Sequence, residues 1–443
     1  MPAGEKRVKV AIAGYGAEGE INYQYWHSRI DPSNGSVTIV DEKHVPGRPI
    51  PEGAKVMLGE NVFKHLDDYD LVVRTASLPP MSIKTNGVIW SATNEFLEHC
   101  PAPIIGVTGT KGKGTTSSLI AAILKAAGKT VHLVGNIGLP ALKILPEIKR
   151  GDIVVFEMSS FQLWDAVKSP QVAVVLMVEP DHLDVHEDMT DYVTAKSNIR
   201  HFQKADDVCI YHPLNKYAKL IAESSYDGER VRYGQKEDKT VYAKTDGFYI
   251  EDYKLCPLDA LQLKGAHNIE NACAAISAAR LFVSNETAIE QGLRAFTGLP
   301  HRLKFVRKVH NVDYYDDSIA TTPGSAMAAI EAFEQPKVLI LGGSDKGAEY
   351  ENLIDTVSKS KSIRAVIAVG ATGQSIAKQL AKKNAKHGLS VKTTETMREV
   401  VAAAAVCAQP GDVVLLSPAS ASFDQYRSYA DRGDQFIAAA EAL

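Results

Sequence analysis

Gly106-Val-Thr-Gly-Thr-Lys-Gly-Lys-Gly-Thr-Thr-Ser-Ser118 is the stretch whose reading decides the fold. It follows the apolar residues Ile104, Ile105 and Val107, which read as a buried strand. It precedes Leu119-Ile-Ala-Ala-Ile-Leu124, which has helical spacing and no breaker. A strand, a loop of glycines and hydroxyls with an embedded lysine, and then a helix make a phosphate cradle. Glycines let backbone N–H groups turn toward anionic oxygens, and the helix N-terminus adds the positive end of its dipole. Gly109, Thr110, Lys111, Gly112, Lys113, Gly114 and Thr115 are the candidate phosphate-binding residues, with Lys113 reaching the β- and γ-phosphates. Gly114 stands where a serine or threonine usually follows the lysine. The spacing therefore leaves Thr115 and Thr116 both open as the hydroxyl for Mg²⁺.

Outward from this loop, strand-like runs alternate with helical patterns along all 443 residues, which predicts α/β architecture with parallel sheets. That length is too great for one core. A first unit has strands at Val8–Ala13, Val37–Val40 and Leu71–Val73, and closes near Cys100-Pro-Ala-Pro103. A second has strands at Ile104–Val107, Val131–Val134, Ile153–Phe156, Val172–Met177 and Val208–Tyr211. A charged, poorly periodic region at 224–262 reads as a small antiparallel appendage, and a helix begins near His267. The turn signal Gly298-Leu-Pro-His-Arg302 opens a third unit with strands at Val338–Leu341, Ala365–Val369 and Val413–Leu416.

Hydrophobic content of 45% with 23% charged residues is that of a globular protein. A formal net charge of −4 argues against a nucleic-acid surface as the main partner. The five cysteines, Cys100, Cys209, Cys256, Cys273 and Cys407, are dispersed and odd in number, so they read as buried thiols and not as a disulfide frame or zinc site. The chain starts on polar residues that run into a strand, and no stretch is long enough to span a bilayer. The expected location is cytoplasmic, with no membrane contact.

Three further clusters carry chemistry. Gly14-Tyr-Gly-Ala-Glu-Gly19 follows the first strand and Asp41 ends the second, the form of a dinucleotide fingerprint that also serves other nucleotides. Glu157 lies just past the strand Ile153–Phe156, at the sheet edge where Lys113 is expected, and is a natural Mg²⁺ ligand. Glu179-Pro-Asp-His-Leu-Asp-Val-His186 reads as a loop at that same edge. One imidazole beside a metal–phosphate site and a purely structural histidine are both compatible with it. Lys196, on the next helix, has the default reading of a surface lysine.

These blocks, taken in order with Gly135-Asn-Ile-Gly-Leu-Pro140, Glu157-Met-Ser-Ser-Phe-Gln162, His267-Asn-Ile-Glu-Asn271, Asp317-Ser-Ile-Ala-Thr321, Gly342-Gly-Ser-Asp-Lys346 and Leu416-Ser-Pro-Ala-Ser-Ala-Ser422, resemble the Mur ligases over the whole chain. The resemblance is strongest to the members that add glutamate to UDP-N-acetylmuramoyl-L-alanine. It implies a Rossmann-like substrate domain over 1–100, a central P-loop ATPase-like domain over 101–298, and a C-terminal Rossmann-like domain over 299–443 that binds glutamate and closes over ATP. By the same resemblance Gly14, Ala17, Glu18, Asp41 and Thr75 line the UDP site, and Asn136 and Ser159 contact the sugar-peptide. Asn268, Asn271, Arg302 and Asp317 hold adenosine. Thr115, Glu157, His182 and Lys196 bind two Mg²⁺ ions, Lys196 as a carbamate. Thr321, Lys346, Ser422 and Tyr429 meet glutamate. The implied enzyme is a monomeric, ATP-dependent amide ligase that passes through an acyl phosphate.

Some positions depart from the family pattern. Glu18 stands where a hydroxyl is usual, Thr75-Ala-Ser77 replaces a Ser-Pro-Gly turn, Met177 replaces an asparagine and Ile319 a lysine. The choice between D- and L-glutamate stays open on these residues. A folylpolyglutamate synthase is the rival within the class, and the complete unit before residue 100 disfavours it. A nicotinamide-dependent oxidoreductase leaves the loop at 106–118 without a role, and a sensor without turnover has no use for Lys113, Glu157, His182 and Lys196 together.

Overall fold

The computed structural model describes residues 7–43, 49–225, 227–237, 239–263, 265–345, 348–383, 390–394 and 396–443. They form two compact units, Met1–Thr297 and Gly298–Leu443.

The first unit begins with a parallel sheet of β1 (Val8–Ala13), β2 (Gly35–Asp41), β3 (Lys55–Leu58), β4 (Leu71–Arg74) and β5 (Val88–Ser91), in the order β3-β2-β1-β4-β5. The unbroken apolar run of β1 is explained by burial on both faces. Val10 and Ile12 enter one core cluster, and Ala11 and Ala13 enter the other.

A second parallel sheet holds β6 (Ile104–Thr108), β7 (Val131–Gly135), β8 (Ile153–Glu157), β9 (Val172–Val175), β10 (Val208–Tyr211) and β11 (Glu229–Arg232), ordered β11-β10-β9-β6-β8-β7. β6 is flanked by β8 on one side and β9 on the other, so the chain reverses its direction of travel across the sheet there. Such a switch point opens a crevice beyond the strand C-termini. The expected strand Val172–Met177 stops at Val175. One more β6–β9 bond follows, the Leu176 N–H donating to the Thr108 carbonyl, and the Met177 carbonyl then accepts from Thr110 N–H in the glycine loop. The appendage is present as the antiparallel strands β12 (Val241–Lys244), β13 (Gly247–Ile250) and β14 (Tyr253–Pro257).

Two helices of the first sheet reach into a core of the second. Helix Ala92–His99 follows β5 and places Phe96 in one cluster with Ile104, Val134 and Phe156, and Tyr25 enters it from helix Ala17–His27. Arg74, 0% exposed at the end of β4, adds a polar joint. Its guanidinium donates to Asp165 at 2.7 and 2.5 Å, to the Phe161 carbonyl at 2.8 Å, and to the carbonyls of Thr75, Ala76 and Leu78.

The second unit carries β15 (Lys304–Val309), β16 (Val312–Asp316), β17 (Lys337–Gly342), β18 (Ile363–Val369), β19 (Ser390–Thr394) and β20 (Val413–Leu416), ordered β15-β16-β20-β17-β18-β19. All pairs are parallel except the β15–β16 hairpin. The cysteines are all free thiols. Cys209, Cys256 and Cys273 are buried as expected, whereas Cys100 and Cys407 are only half-buried. Among the described residues no helix is long and apolar enough to cross a membrane.

Candidate active site

The loop after β6 is built by two glycines in conformations that side chains resist. Gly109 has φ +151° and Gly112 has φ +85°. A Cβ on Gly109 would lie 2.8 Å from that of Leu176, and one on Gly112 would lie 2.4 Å from Asn271 Oδ1. Helix Lys113–Ala126 starts immediately after. Thr110 fastens the loop to its neighbours. Its N–H donates to Met177 O at 2.8 Å, and its hydroxyl accepts from Glu179 N–H at 2.9 Å and lies 3.1 Å from the Tyr192 hydroxyl. Lys113 curls over the loop, its Nζ donating to Gly109 O and Thr110 O, both at 3.0 Å. Lys111 is exposed, 3.7 Å from Glu179. Gly114 is buried and Thr115 half-buried.

Lys196 is not a surface lysine. It is 1% exposed, on helix Met189–His201, and its Nζ donates to Gly109 O at 3.1 Å and to Thr108 Oγ1 at 3.4 Å. The amine also lies 4.6 Å from the centre of the Tyr192 ring. Burial holds its pKa well below the usual lysine range and the charge of Lys113 adds to this, while Asp181 and Glu157 act in the opposite sense. Both lysines and both carboxylates thus act on one place at the C-terminal end of β6.

Glu157 ends β8 in register with Val107 on one side and Gly135 on the other. Gly135, at φ +115°, passes so close that a Cβ would meet the Glu157 carbonyl at 2.2 Å, and exposed Asn136 follows at the same edge. Ser159 caps the short helix Ser160–Leu163 in a capping box with Gln162.

The two histidines differ in their surroundings. His186 is buried, and both ring nitrogens are engaged, Nδ1 with Asp191 at 2.8 Å and Nε2 with Ser160 at 3.0 Å. It is structural, stacked on Phe161 and 4.0 Å from the Trp164 ring. His182, at φ 55°, keeps an exposed imidazole 4.9 Å from the Phe161 ring.

Among the described residues no group of three or more His, Cys, Asp and Glu could hold a metal by itself, so substrate oxygens would have to complete its shell. The Thr116 hydroxyl, in the first turn after the loop, is fully buried with no partner among the described residues. Asn268 and Asn271 arrive on helix Ala266–Ala279, joined by a 3.2 Å hydrogen bond, with Asn271 against Gly112.

In the first sheet, Gly14 has φ +90° and lies against the Thr75 hydroxyl, and a Cβ on Gly19 would strike Gly14 O at 2.0 Å. Asp41 accepts from Tyr15 N–H at 2.6 Å. Ala17 is exposed at the start of its helix, and Glu18 accepts from Ala76 N–H at 2.8 Å. In the second unit, Asp317 accepts from Leu303 N–H at 3.1 Å and from Ser417 Oγ at 2.7 Å. Burial raises its pKa to about 6, against those two hydrogen bonds and the charge of Arg302. Ser344 N–H donates to Ala421 O at 2.8 Å, which joins the turn after β17 to the residue before buried Ser422. Tyr429 is partly exposed at the start of helix Tyr429–Glu441, and Thr321 is half-buried. Lys346 lies outside the described residues.

Tyr192, Asp181, Arg74 and Asp165 were not singled out from the sequence. Tyr192 had a signal, standing four residues before Lys196 on one helix face.

The family model described as Mur ligase middle domain matches residues 107–279, and that described as Mur ligase, glutamate ligase domain matches residues 301–420. The protein of Clostridium tetani named UDP-N-acetylmuramoylalanine–D-glutamate ligase is 37% identical over 400 residues, 87% of this chain and 85% of that one. A protein of the same name from Clostridium botulinum (strain Loch Maree) is 33% identical across 97% of this chain and 96% of its own. Among solved structures, the UDP-N-acetylmuramate–alanine ligase of Thermotoga maritima aligns over 98% of this chain and 100% of its own, with TM-score 0.58 and 17% identity, a likeness of fold.

Proposed function

Because the chain belongs to the Mur ligase family, we propose that it joins D-glutamate to UDP-N-acetylmuramoyl-L-alanine at the expense of ATP, a step of peptidoglycan precursor synthesis. A carboxylate is a poor electrophile and must be activated. The alanyl carboxylate attacks the γ-phosphorus of ATP, the bond to the β–γ bridging oxygen breaks, and ADP leaves with that electron pair. The glutamate amine then attacks the acyl carbon of the resulting acyl phosphate and loses a proton, and inorganic phosphate departs to leave the amide.

In this reading the residues of 109–115 cradle the phosphates, and Lys113 exchanges the carbonyls of Gly109 and Thr110 for γ-phosphate oxygens. Glu157, His182, the Lys196 carbamate and the hydroxyl of Thr115 or Thr116 would hold Mg²⁺, which would supply charge neutralisation as two anions meet. The Lys196 carbamate forms when the neutral amine attacks CO₂ and sheds a proton, which turns a cation into a carboxylate-like anion. Its support is the burial that favours the neutral amine.

UDP lies along Gly14, Ala17, Glu18, Asp41 and Thr75, and the sugar-peptide along Asn136 and Ser159. Adenosine is held by Asn268, Asn271, Arg302 and Asp317, and glutamate by Thr321, Lys346, Ser422 and Tyr429. The division into 1–100, 101–298 and 299–443 follows these roles. Positioning alone can supply about 7–11 kcal/mol in favourable cases.

The observation that carries this reading is the meeting of Lys113 and Lys196 on the Gly109 carbonyl, where the carboxylates of Glu157 at the end of β8 and Asp181 in the loop after β9 act on Lys196. Phosphate release from ATP tests it, with UDP-N-acetylmuramoyl-L-alanine and either D- or L-glutamate. Release that needs both acceptor and D-glutamate is expected. Faster release with L-glutamate would reassign the amino acid, and none with either would remove the reading.

A further inference from the structure

Helix Ala17–His27 presents its N-terminus at the glycine loop of the first sheet, where an anion would ordinarily be welcome. An acid already occupies that place. Glu18 sits in the first turn, half-buried, with its Oε2 accepting from Ala76 N–H at 2.8 Å. The nearest cation cannot serve both it and a diphosphate: Arg74 is spent on Asp165 and on four backbone carbonyls. The charged groups acting on Glu18 are Arg74 from β4 and Asp165 from beyond helix Ser160–Leu163. At the end of β2, Asp41 faces the loop and holds the Tyr15 N–H, and Lys143 on helix Ala141–Ile144 is exposed. Two carboxylates therefore border the loop that the proposed function assigns to UDP.

Like charges at such close quarters are relieved when one of them takes a proton. A protonated carboxyl is also an O–H donor, the chemistry a diphosphate oxygen needs. We propose that Glu18 meets the diphosphate in its protonated form, so that binding of the UDP substrate takes up one proton. Two observations point the same way. Desolvation already raises the pKa of Glu18 in the free protein, and two bound phosphate charges would act in that direction too. One turn along the same helix face, Asn22 is 0% exposed with neither amide atom partnered among the described residues, so the wall beside the carboxyl is polar and enclosed.

This rests on the reading of residues 14–19 as the UDP site, and the test separates the two. UDP-N-acetylmuramoyl-L-alanine is a suitable probe because its diphosphate is a diester, with no proton to lose near neutrality. Calorimetric titration of the full chain at about pH 6 and about pH 8, in buffers of different ionisation enthalpy, gives affinity and proton uptake together. The expected result is uptake of one proton, with affinity falling by up to about tenfold per pH unit where the free carboxyl is ionised. Glu18→Gln, whose amide donates without titrating, should bind with no uptake and no pH dependence. Glu18→Asp, which keeps an ionisable group, shows whether the carboxyl must sit at this distance, and retained uptake there supports the proton linkage. Wild-type binding without uptake, or uptake that persists in Glu18→Gln, overturns the proposal and leaves the site standing. Failure of the wild type to bind this probe at either pH, while ATP still binds, overturns both.

Discussion

Lys113 and Lys196 meet on one carbonyl, yet removing each should fail in a different way. Lys113→Ala deletes the cation that meets the γ-phosphate and should lower phosphate release by ~10²-fold or more. Its affinity for the UDP substrate should stay within about twofold, since that ligand is assigned to the other sheet. Turnover near wild type would sink the phosphate-loop assignment. Lys196→Ala should lose activity and recover part of it when short carboxylic acids are added, because these can occupy the volume of a carbamate. A Lys196→Ala enzyme indifferent to them would return the residue to a packing role.

Asp317 gives a pH effect of defined sign. Its folded pKa of about 6 lies above the ordinary 3.8, so the native state binds more protons than the unfolded chain between those values. Stability contributed by this group therefore falls as pH rises through that window, by about 3 kcal/mol at ~1.4 kcal/mol per unit. Asp317→Asn should flatten that decline in melting curves, and a slope unchanged from wild type would contradict the burial argument. At this scale the sequence was most legible where a residue followed an apolar strand, as Glu157 and Asp41 do. Burial of Lys196 was not legible, because its own helix mixes polar and apolar residues and only the fold sets it under the loop.

Most of the strands foreseen are buried on both faces, while the edge strand β7 was foreseen from its run Val131–Val134 although it is mostly half-buried. β1, β6, β8, β10 and β20 read as continuous apolar runs. β3, β11 and β15 lie at sheet edges, β5 and β19 too, and in β3, β11 and β15 exposed or charged residues such as Lys55, Arg232 and Lys304 interrupt the run. The β15–β16 hairpin escaped notice for that reason, although Asn311, with φ 62°, turns it tightly. Short strands need an anchor, and β4 has one in Arg74. Arg74→Ala would strand the Asp165 carboxylate and release carbonyls of both the Thr75 turn and the helix carrying Phe161. Losing one partner of a buried pair costs about 3–5 kcal/mol. Urea unfolding should show that loss, and a change under about 1 kcal/mol would mean that water replaces the guanidinium without penalty.

The three tryptophans of the chain, Trp26, Trp90 and Trp164, all lie in the first unit, so tryptophan fluorescence reports that unit alone. Trp90, on β5 of the first sheet, donates to Glu95, and Trp164, just after helix Ser160–Leu163 of the second, donates to Asp191. If the core is cooperative, single-tryptophan variants retaining Trp90 or Trp164 should unfold at one urea concentration. Distinct midpoints would show two independently folding pieces. Helix Ala92–His99 has a last consequence. Because Phe96 fills the same core as Phe156, the first sheet is no detachable cassette. Anyone grafting a foreign nucleotide-recognition module ahead of Ile104 would inherit a hole where Phe96 had been, so the transplant must carry this helix or a replacement of equal shape.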